Sequence, residues 1–312
     1  MSEKDIRILF MGTPDIAAYV LENLIDYGYN IVGVVAQMDK PVGRKKIVQE
    51  VPTKVVAKMH NIPVYQPQKI KLDYEFVKEI NPDLILTLAY GQIVPQALLD
   101  IPKYGCLNLH GSLLPKYRGA APMQYALING DKKTGISLME MIDKMDAGKV
   151  YATKEVLIEE DDTYATLKDK MKKCAFEIIL ENLQKYLDGA LKGIIQDEEL
   201  VTFSPSIKKE EEHINFDLPS QTIINWMRAL NDKPGLYGYI DGQVVKFWKG
   251  KVVSNQIIGK IGEIVKADNN GLLMQAKDGL IAILELQKEG KKLMDYKSFI
   301  NGNRGLLGKI IS

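Results

Sequence analysis

The sequence predicts a two-domain α/β protein: a doubly wound, mostly parallel, Rossmann-like sheet domain over residues 1–204, then a smaller β-barrel of the OB type over residues 205–312. Three observations lead there. The chain's 312 residues exceed the size at which one hydrophobic core keeps growing. As far as residue 187, short apolar runs alternate with helical patterns, as parallel strands joined by crossover helices require. Beyond residue 205 the apolar runs are short, closely spaced and separated by hairpin-type dipeptides, which fits a small barrel.

The elements follow in order. Ile6–Phe10 reads as a buried strand ending at Met11-Gly12-Thr13-Pro14, with Thr13 expected to cap the next helix and Pro14 to occupy its first turn. That helix stops at Gly28. Ile31–Ala36 is a second buried strand, followed by a long basic loop from Met38 to Val51. Asp83–Ala89, Cys106–His110 and Thr134–Met141 read as further strands, and a helical pattern runs from Thr163 to about Leu187. Ser204-Pro205-Ser206 and the charged run Lys208–Glu212 mark the domain boundary. A helix is expected over Ser220–Leu230. Strands follow at Leu236–Ile240, Val244–Trp248, Ile261–Val265, Leu272–Ala276 and Leu280–Leu286, punctuated by Asp241-Gly242, Asn269-Asn270-Gly271 and Asp278-Gly279.

Composition narrows the function classes. Hydrophobic residues at 46% and charged residues at 26% exclude long disorder. The net charge of +1 conceals an asymmetry: Leu236–Ser312 carries 12 Lys and Arg against 7 Asp and Glu, and the remainder 29 against 33. A basic carboxyl-terminal domain on an acidic body suits a polyanionic partner, although a solvated lysine-rich surface reads the same way. The two cysteines, Cys106 and Cys174, are far apart and form no Cys-x-x-Cys pair, so neither a disulfide framework nor a structural zinc site is expected. No signal-like leader and no apolar run of about 20 residues occurs, so the chain is expected to be cytoplasmic.

Of three histidines, His60 sits in a helix-to-strand turn and His213 in a charged linker. His110 ends Cys106-Leu107-Asn108-Leu109-His110, where the two-residue strand period puts Asn108 and His110 on one face. Two polar side chains aligned at the carboxyl end of a strand lie where open α/β sheets bind ligands, and together they can donate hydrogen bonds to a developing oxyanion. A hydrogen-bonded core histidine is the competing structural reading. A proton acceptor is also required, and Asp143 and Asp146 follow the next strand; spacing does not choose between them. Gly-x-Ser-x-Gly, Walker-type and Gly-x-Gly-x-x-Gly patterns are absent, and no metal is expected.

The run from Asn108 to Pro122, Asn-Leu-His-Gly-Ser-Leu-Leu-Pro-Lys-Tyr-Arg-Gly-Ala-Ala-Pro, resembles the signature of the 10-formyltetrahydrofolate-dependent formyltransferases, and Met145-Asp146-Ala147-Gly148 resembles its aspartate segment. Ile8–Pro14, Tyr90–Pro95, Arg228–Asn231, Gly290–Lys292 and Phe299–Gly302 are similar to the members that act on aminoacyl-tRNA, so the resemblance covers nearly the whole chain. It implies formyl transfer from the folate carrier to the α-amino group of methionine on an initiator tRNA. Asn108, His110 and Asp146 would be the catalytic set. Ser112, Leu113, Leu114 and Pro115, with Tyr90, Gly91 and Gln92, would bind folate. The basic loop at Arg44, Lys45 and Lys46 would meet the RNA, together with the basic stretch Lys246, Lys249 and Lys251, in a chain expected to act as a monomer. Two departures stand out: the loop reads Gly-Arg-Lys-Lys without a second glycine after the arginine, and Lys116-Tyr117 stands where an Arg-Trp pair is usual. A formyltransferase acting on glycinamide ribonucleotide or a nucleotide sugar, and a non-catalytic RNA-binding relative, are the alternatives.

Overall fold

Strand β1 (Ile8–Gly12) is buried along its whole length, as a central parallel strand covered on both faces must be. After it come helix α1 (Asp15–Asp26), β2 (Ile31–Val35), β3 (Lys40–Val42), β4 (Ile47–Gln49), α2 (Pro52–Met59), β5 (Val64–Tyr65), α3 (Glu75–Ile80), β6 (Leu84–Leu88), α4 (Gln96–Leu99), β7 (Cys106–His110), α5 (Pro122–Ile128), β8 (Lys133–Glu140), β9 (Val150–Leu157) and the long α6 (Tyr164–Leu187). This is a computed structural model, and it describes residues 2–42 and 47–312. Among the described residues no helix is long and apolar enough to cross a membrane.

The first sheet has the order β5-β2-β1-β6-β7-β8-β9. Strands β5, β2, β1, β6 and β7 are parallel, β8 runs antiparallel to β7, and β9 is antiparallel to β8, back in the direction of the others. The strand order reverses between β1 and β6, so the crevice of a doubly wound sheet opens at the carboxyl ends of these two strands. Strand β9 is absent from the strands expected on sequence; it is a half-exposed edge strand whose alternating burial is a weaker signal than the continuous apolar runs of the interior. Beneath the crevice a core of Leu9, Met11, Val35, Ile85, Leu98 and Cys106 fixes the strand ends.

Two local expectations are corrected. Thr13 does not cap α1, whose N-cap is Pro14. Its hydroxyl instead donates to the Tyr90 carbonyl and accepts from the Gln37 backbone amide, both at 3.1 Å, tying together the ends of β1, β2 and β6. The stretch Met38–Val51 is not a plain loop, because β3 and β4 pair antiparallel within it, from Lys40 opposite Gln49 to Val42 opposite Ile47. Ile47 and Val48, adjacent β-branched residues, favour the extended backbone of β4.

The chain forms two compact units. One gathers the residues up to Pro122, Lys133–Leu157 and Lys168–Ser204; the other gathers Met123–Lys132, Ile158–Leu167 and Pro205–Ser312. In the second unit, α7 (Ser220–Ala229) precedes β10 (Leu236–Ile240), β11 (Gln243–Ser254), β12 (Ile264–Asp268), β13 (Gly271–Ala276), β14 (Gly279–Lys288), β15 (Met294–Asp295) and α8 (Tyr296–Asn301). The sheet path is β10-β11-β14-β13-β12, antiparallel throughout. Residues 308–312 then bridge its two edges. They bond to Gly262 just before β12, to Ile264 at its start and, through Ser312, to Tyr239 of β10 in both directions. Pairing both edges leaves neither as an open template, as a barrel requires.

Ile311 is buried in the core of this barrel with Val245, Phe247 and Ile283, whereas Leu307 is exposed. Ile311→Ala is expected to cost about 2–4 kcal/mol in urea unfolding of the full chain, and Leu307→Ala less than about 0.5 kcal/mol. Equal losses would mean that the closing segment is not seated in the core.

Candidate active site

Strand β7 is flanked by β6 and β8, with Asn108 opposite Thr87 on one side and Met139 on the other. Asn108 and His110 share a face, as the strand period requires. Their environments differ. The Asn108 side chain is partly exposed and its amide has no hydrogen-bonding partner among the described residues. His110 is 5% exposed, and both of its ring nitrogens face protein groups.

His110 Nε2 lies 2.8 Å from the Tyr117 carbonyl oxygen. A carbonyl only accepts, so Nε2 carries the hydrogen. Nδ1 is then the basic position of the neutral ring, and it faces Asp146 Oδ1 at 3.5 Å. Charge-assisted N–H···O bonds are shorter, about 2.7–2.9 Å, so at 3.5 Å the two groups face each other within ion-pair range but without a direct hydrogen bond. The other carboxylate oxygen, Oδ2, accepts from the Gly119 amide at 2.9 Å.

The strand directions explain how Asp146 reaches the ring. Because β8 is antiparallel to β7, Glu140 lies opposite Leu107, and the chain leaves β8 at the wrong end of β7. The 141–148 segment must therefore run back toward His110. Asp146 sits in the left-handed region at φ 51°, a conformation that costs about 1–3 kcal/mol for a residue with a side chain and is tolerated best by Asp and Asn. Gly148 follows because a β-carbon there would lie 2.0 Å from the Glu140 carbonyl oxygen. Asp143 is exposed in the same loop.

Residues 194–204, which carry no sequence motif, form the frame. Gln196 Nε2 donates to the carbonyls of Asp146 and Gly148, both at 2.8 Å. Its Oε1 accepts from Nε of Arg118 at 3.0 Å, and Arg118, 2% exposed, pairs with Glu198 at 2.9 Å. Arg118, aided by Lys144, holds the Glu198 carboxyl below its usual range. The Tyr117 amide donates to Thr202 Oγ1 at 2.9 Å, and Ser204 Oγ donates to the Tyr117 carbonyl at 2.9 Å. The carbonyl that receives His110 is thus fixed by a second donor.

The residues matched to folate binding divide into two groups. The Ser112 hydroxyl is buried and donates to the Lys116 carbonyl at 2.6 Å, closing the turn, while Leu113, Leu114 and Pro115 remain partly exposed. At the β1/β6 crevice the Tyr90 carbonyl accepts from Thr13 and from Gln37 Nε2, Gly91 is exposed, and Gln92 Oε1 accepts from the Ile70 amide at 2.8 Å. The Tyr90 phenol is buried without a partner among the described residues, and burial pushes it well above its usual range. Sequence reasoning missed Gln37, whose side chain gave no signal apart from its place just after β2. Among the described residues no group of His, Cys, Asp and Glu is arranged to hold a metal ion.

In the second unit, Lys249 and Lys251 are exposed on β11 and have no acidic partner among the described residues. Lys246 donates to the Pro234 carbonyl, and its ammonium lies 5.7 Å from the Trp248 ring. A register shift after Phe247 keeps Lys249 and Lys251 on the outward side while Val245 and Phe247 point inward. Arg44, Lys45 and Lys46 lie outside the described residues.

The family model described as formyl transferase matches residues 5–183, and the one described as formyl transferase, C-terminal domain, matches residues 206–304. The chain belongs to the formyl transferase family. It is 42% identical to the methionyl-tRNA formyltransferase of Bacillus velezensis over 98% of this chain and 97% of that one. It is also 44% identical to that of Bacillus cytotoxicus, over 97% and 98%. Among solved structures, the N-formyltransferase of Helicobacter canadensis in complex with folinic acid and dTDP-3-aminofucose shares the fold at a TM-score of 0.67 and 20% identity, covering 91% of this chain and 99% of that one. HypX of Aquifex aeolicus in complex with tetrahydrofolic acid does so at 0.66 and 17%, covering 98% of this chain but 49% of its own.

Gly119 tests the frame directly. Its φ is +127° and a β-carbon would lie 2.6 Å from the Ser204 carbonyl oxygen. Gly119→Ala is expected to lose about 1–3 kcal/mol of stability in urea unfolding. A variant as stable as the parent would show that this backbone relaxes freely around Asp146.

Proposed function

We propose that this chain transfers the formyl group of 10-formyltetrahydrofolate to the α-amino group of methionine on initiator methionyl-tRNA, acting as a cytoplasmic monomer. The observation that carries this reading is identity of 42–44% with methionyl-tRNA formyltransferases over nearly the full length of both chains. The alternatives, a small amine or a nucleotide sugar as acceptor and an RNA-binding protein without activity, lack that support. The second is further disfavoured by a buried His110 facing a partly buried Asp146 beside an open Asn108 amide, which binding alone does not need.

In this reading Asn108 donates its side-chain N–H to the oxygen that gains charge as the neutral amine attacks the formyl carbon. The tetrahedral intermediate must then shed a proton from the attacking nitrogen. His110 Nδ1 and Asp146 Oδ1 take it, directly or through water, and the imidazolium that forms is stabilised by the carboxylate. The bond to folate N10 breaks, N10 regains a proton, and tetrahydrofolate leaves. Atoms and protons balance without a covalent enzyme intermediate. Folate is assigned to the crevice lined by Tyr90, Gly91 and Gln92 and to the turn Ser112–Pro115. The RNA is assigned to Arg44, Lys45 and Lys46 and to Lys246, Lys249 and Lys251, with residues 205–312 as the RNA-binding domain.

The test is release of tetrahydrofolate with charged initiator tRNA, uncharged tRNA and glycinamide ribonucleotide in parallel. Turnover is expected with charged tRNA alone, falling on the order of 10²–10³-fold in Asn108→Ala. Turnover with the ribonucleotide would overturn the substrate assignment. In the same assay, Lys249→Ala with Lys251→Ala should raise KM for charged tRNA and flatten its log–log dependence on salt by about 0.7–0.9 for each phosphate that is no longer neutralised. KM for the folate carrier should stay unchanged. Superimposable salt curves would remove these lysines from the interface.

A further inference from the structure

We propose that Gln196, locked by Arg118, is a positioning residue for the formyl transfer: it sets the place of Asp146 and, through Asp146, the proton-accepting state of His110. The inference rests on the catalytic role given to Asp146 above. Among the described residues Gln196 makes no hydrogen bond to His110 or to the Asp146 carboxylate. Its two amide hydrogens go to the backbone carbonyls of Asp146 and Gly148, at 2.8 Å each, on either side of Ala147. It therefore grips the backbone at the left-handed residue and at the close approach to Glu140.

The orientation of this amide is not free to reverse. Arg118 has no acceptor, so the group facing its Nε must be the amide oxygen, and the NH₂ must face the two carbonyls. Arg118 is in turn held by Glu198, which also meets Lys144 of the same loop at 3.3 Å. A neutral side chain with two donors and one acceptor satisfies all three partners. Glutamate would keep the link to Arg118 and turn an oxygen toward two carbonyl oxygens. Alanine would leave the buried carbonyl of Gly148 and the Arg118 Nε unpaired.

The experiment is a double-mutant cycle on the full chain with saturating charged tRNA and folate carrier, comparing Gln196→Ala, Gln196→Glu and Asp146→Asn alone and in combination. Both Gln196 variants are expected to lower kcat about 10- to 100-fold, with KM for each substrate within about threefold and a displaced kcat–pH profile. Combined with Asp146→Asn, they should add almost nothing, because contacting partners in one network do not add. Rates are normalised to folded protein by circular dichroism, so loss of fold does not mimic the effect. If Asp146→Asn is itself harmless, the reading of Asp146 fails. If Asp146→Asn is damaging while the Gln196 variants retain parental kcat, or their losses multiply with it, the positioning role is wrong.

Discussion

The arrangement depends on one hydrogen bond, from His110 Nε2 to the Tyr117 carbonyl. By fixing which ring nitrogen carries hydrogen, it leaves the other nitrogen as a base and points it at Asp146. Without that constraint a neutral imidazole would pair with the nearby carboxylate through Nδ1–H, leaving Nε2, the nitrogen that does not face Asp146, as its basic position. Ser204 donates to the same carbonyl, so the acceptor cannot turn aside to suit the ring. What looks like a buried histidine satisfied by its surroundings is therefore a polarised pair, held ready by backbone groups.

Three separate segments have to meet for this to work. Strand β7 supplies Asn108 and His110, the turn after it supplies Tyr117 and the Gly119 amide, and the 141–148 loop supplies Asp146. Residues 196–204 clasp the second and third of these, through Gln196 and through Thr202 and Ser204. The buried Arg118 guanidinium is stable there because Gln196 and Glu198 occupy its nitrogens; an unpaired charge at that depth would cost several kcal/mol, on the order found for broken buried pairs. The same segment leads into the second unit, so the frame around Asp146 ends where the barrel's chain begins.

The fold was legible because its signals are periodic. Continuous apolar runs marked β1, β2 and β6, and alternation with Asp-Gly and Asn-Gly turns marked the barrel strands. The face shared by Asn108 and His110 was legible for the same reason. Asp146 was not separable from Asp143 on spacing, because a loop that must run back along an antiparallel partner has no period. The role of the Tyr117 carbonyl and the Gly119 amide had no signal at all: every residue has such groups, and only folding decides which ones meet. Gln196 lies 50 residues from Asp146 in irregular chain, where no local pattern distinguishes it from a solvated glutamine. Thr13 misled because a threonine before a helix usually caps it, while here the tie between three strand ends competes for the hydroxyl.

The most direct test of the polarised pair is the protonation pattern of the His110 ring in the ligand-free protein. With three histidines in the chain, long-range proton–nitrogen correlation spectra of protein labelled at histidine, assigned with a His110→Asn variant, resolve both ring nitrogens. In the neutral ring, hydrogen is expected on Nε2 and Nδ1 is expected bare. A neutral ring carrying its hydrogen on Nδ1, toward Asp146, would contradict the pairing.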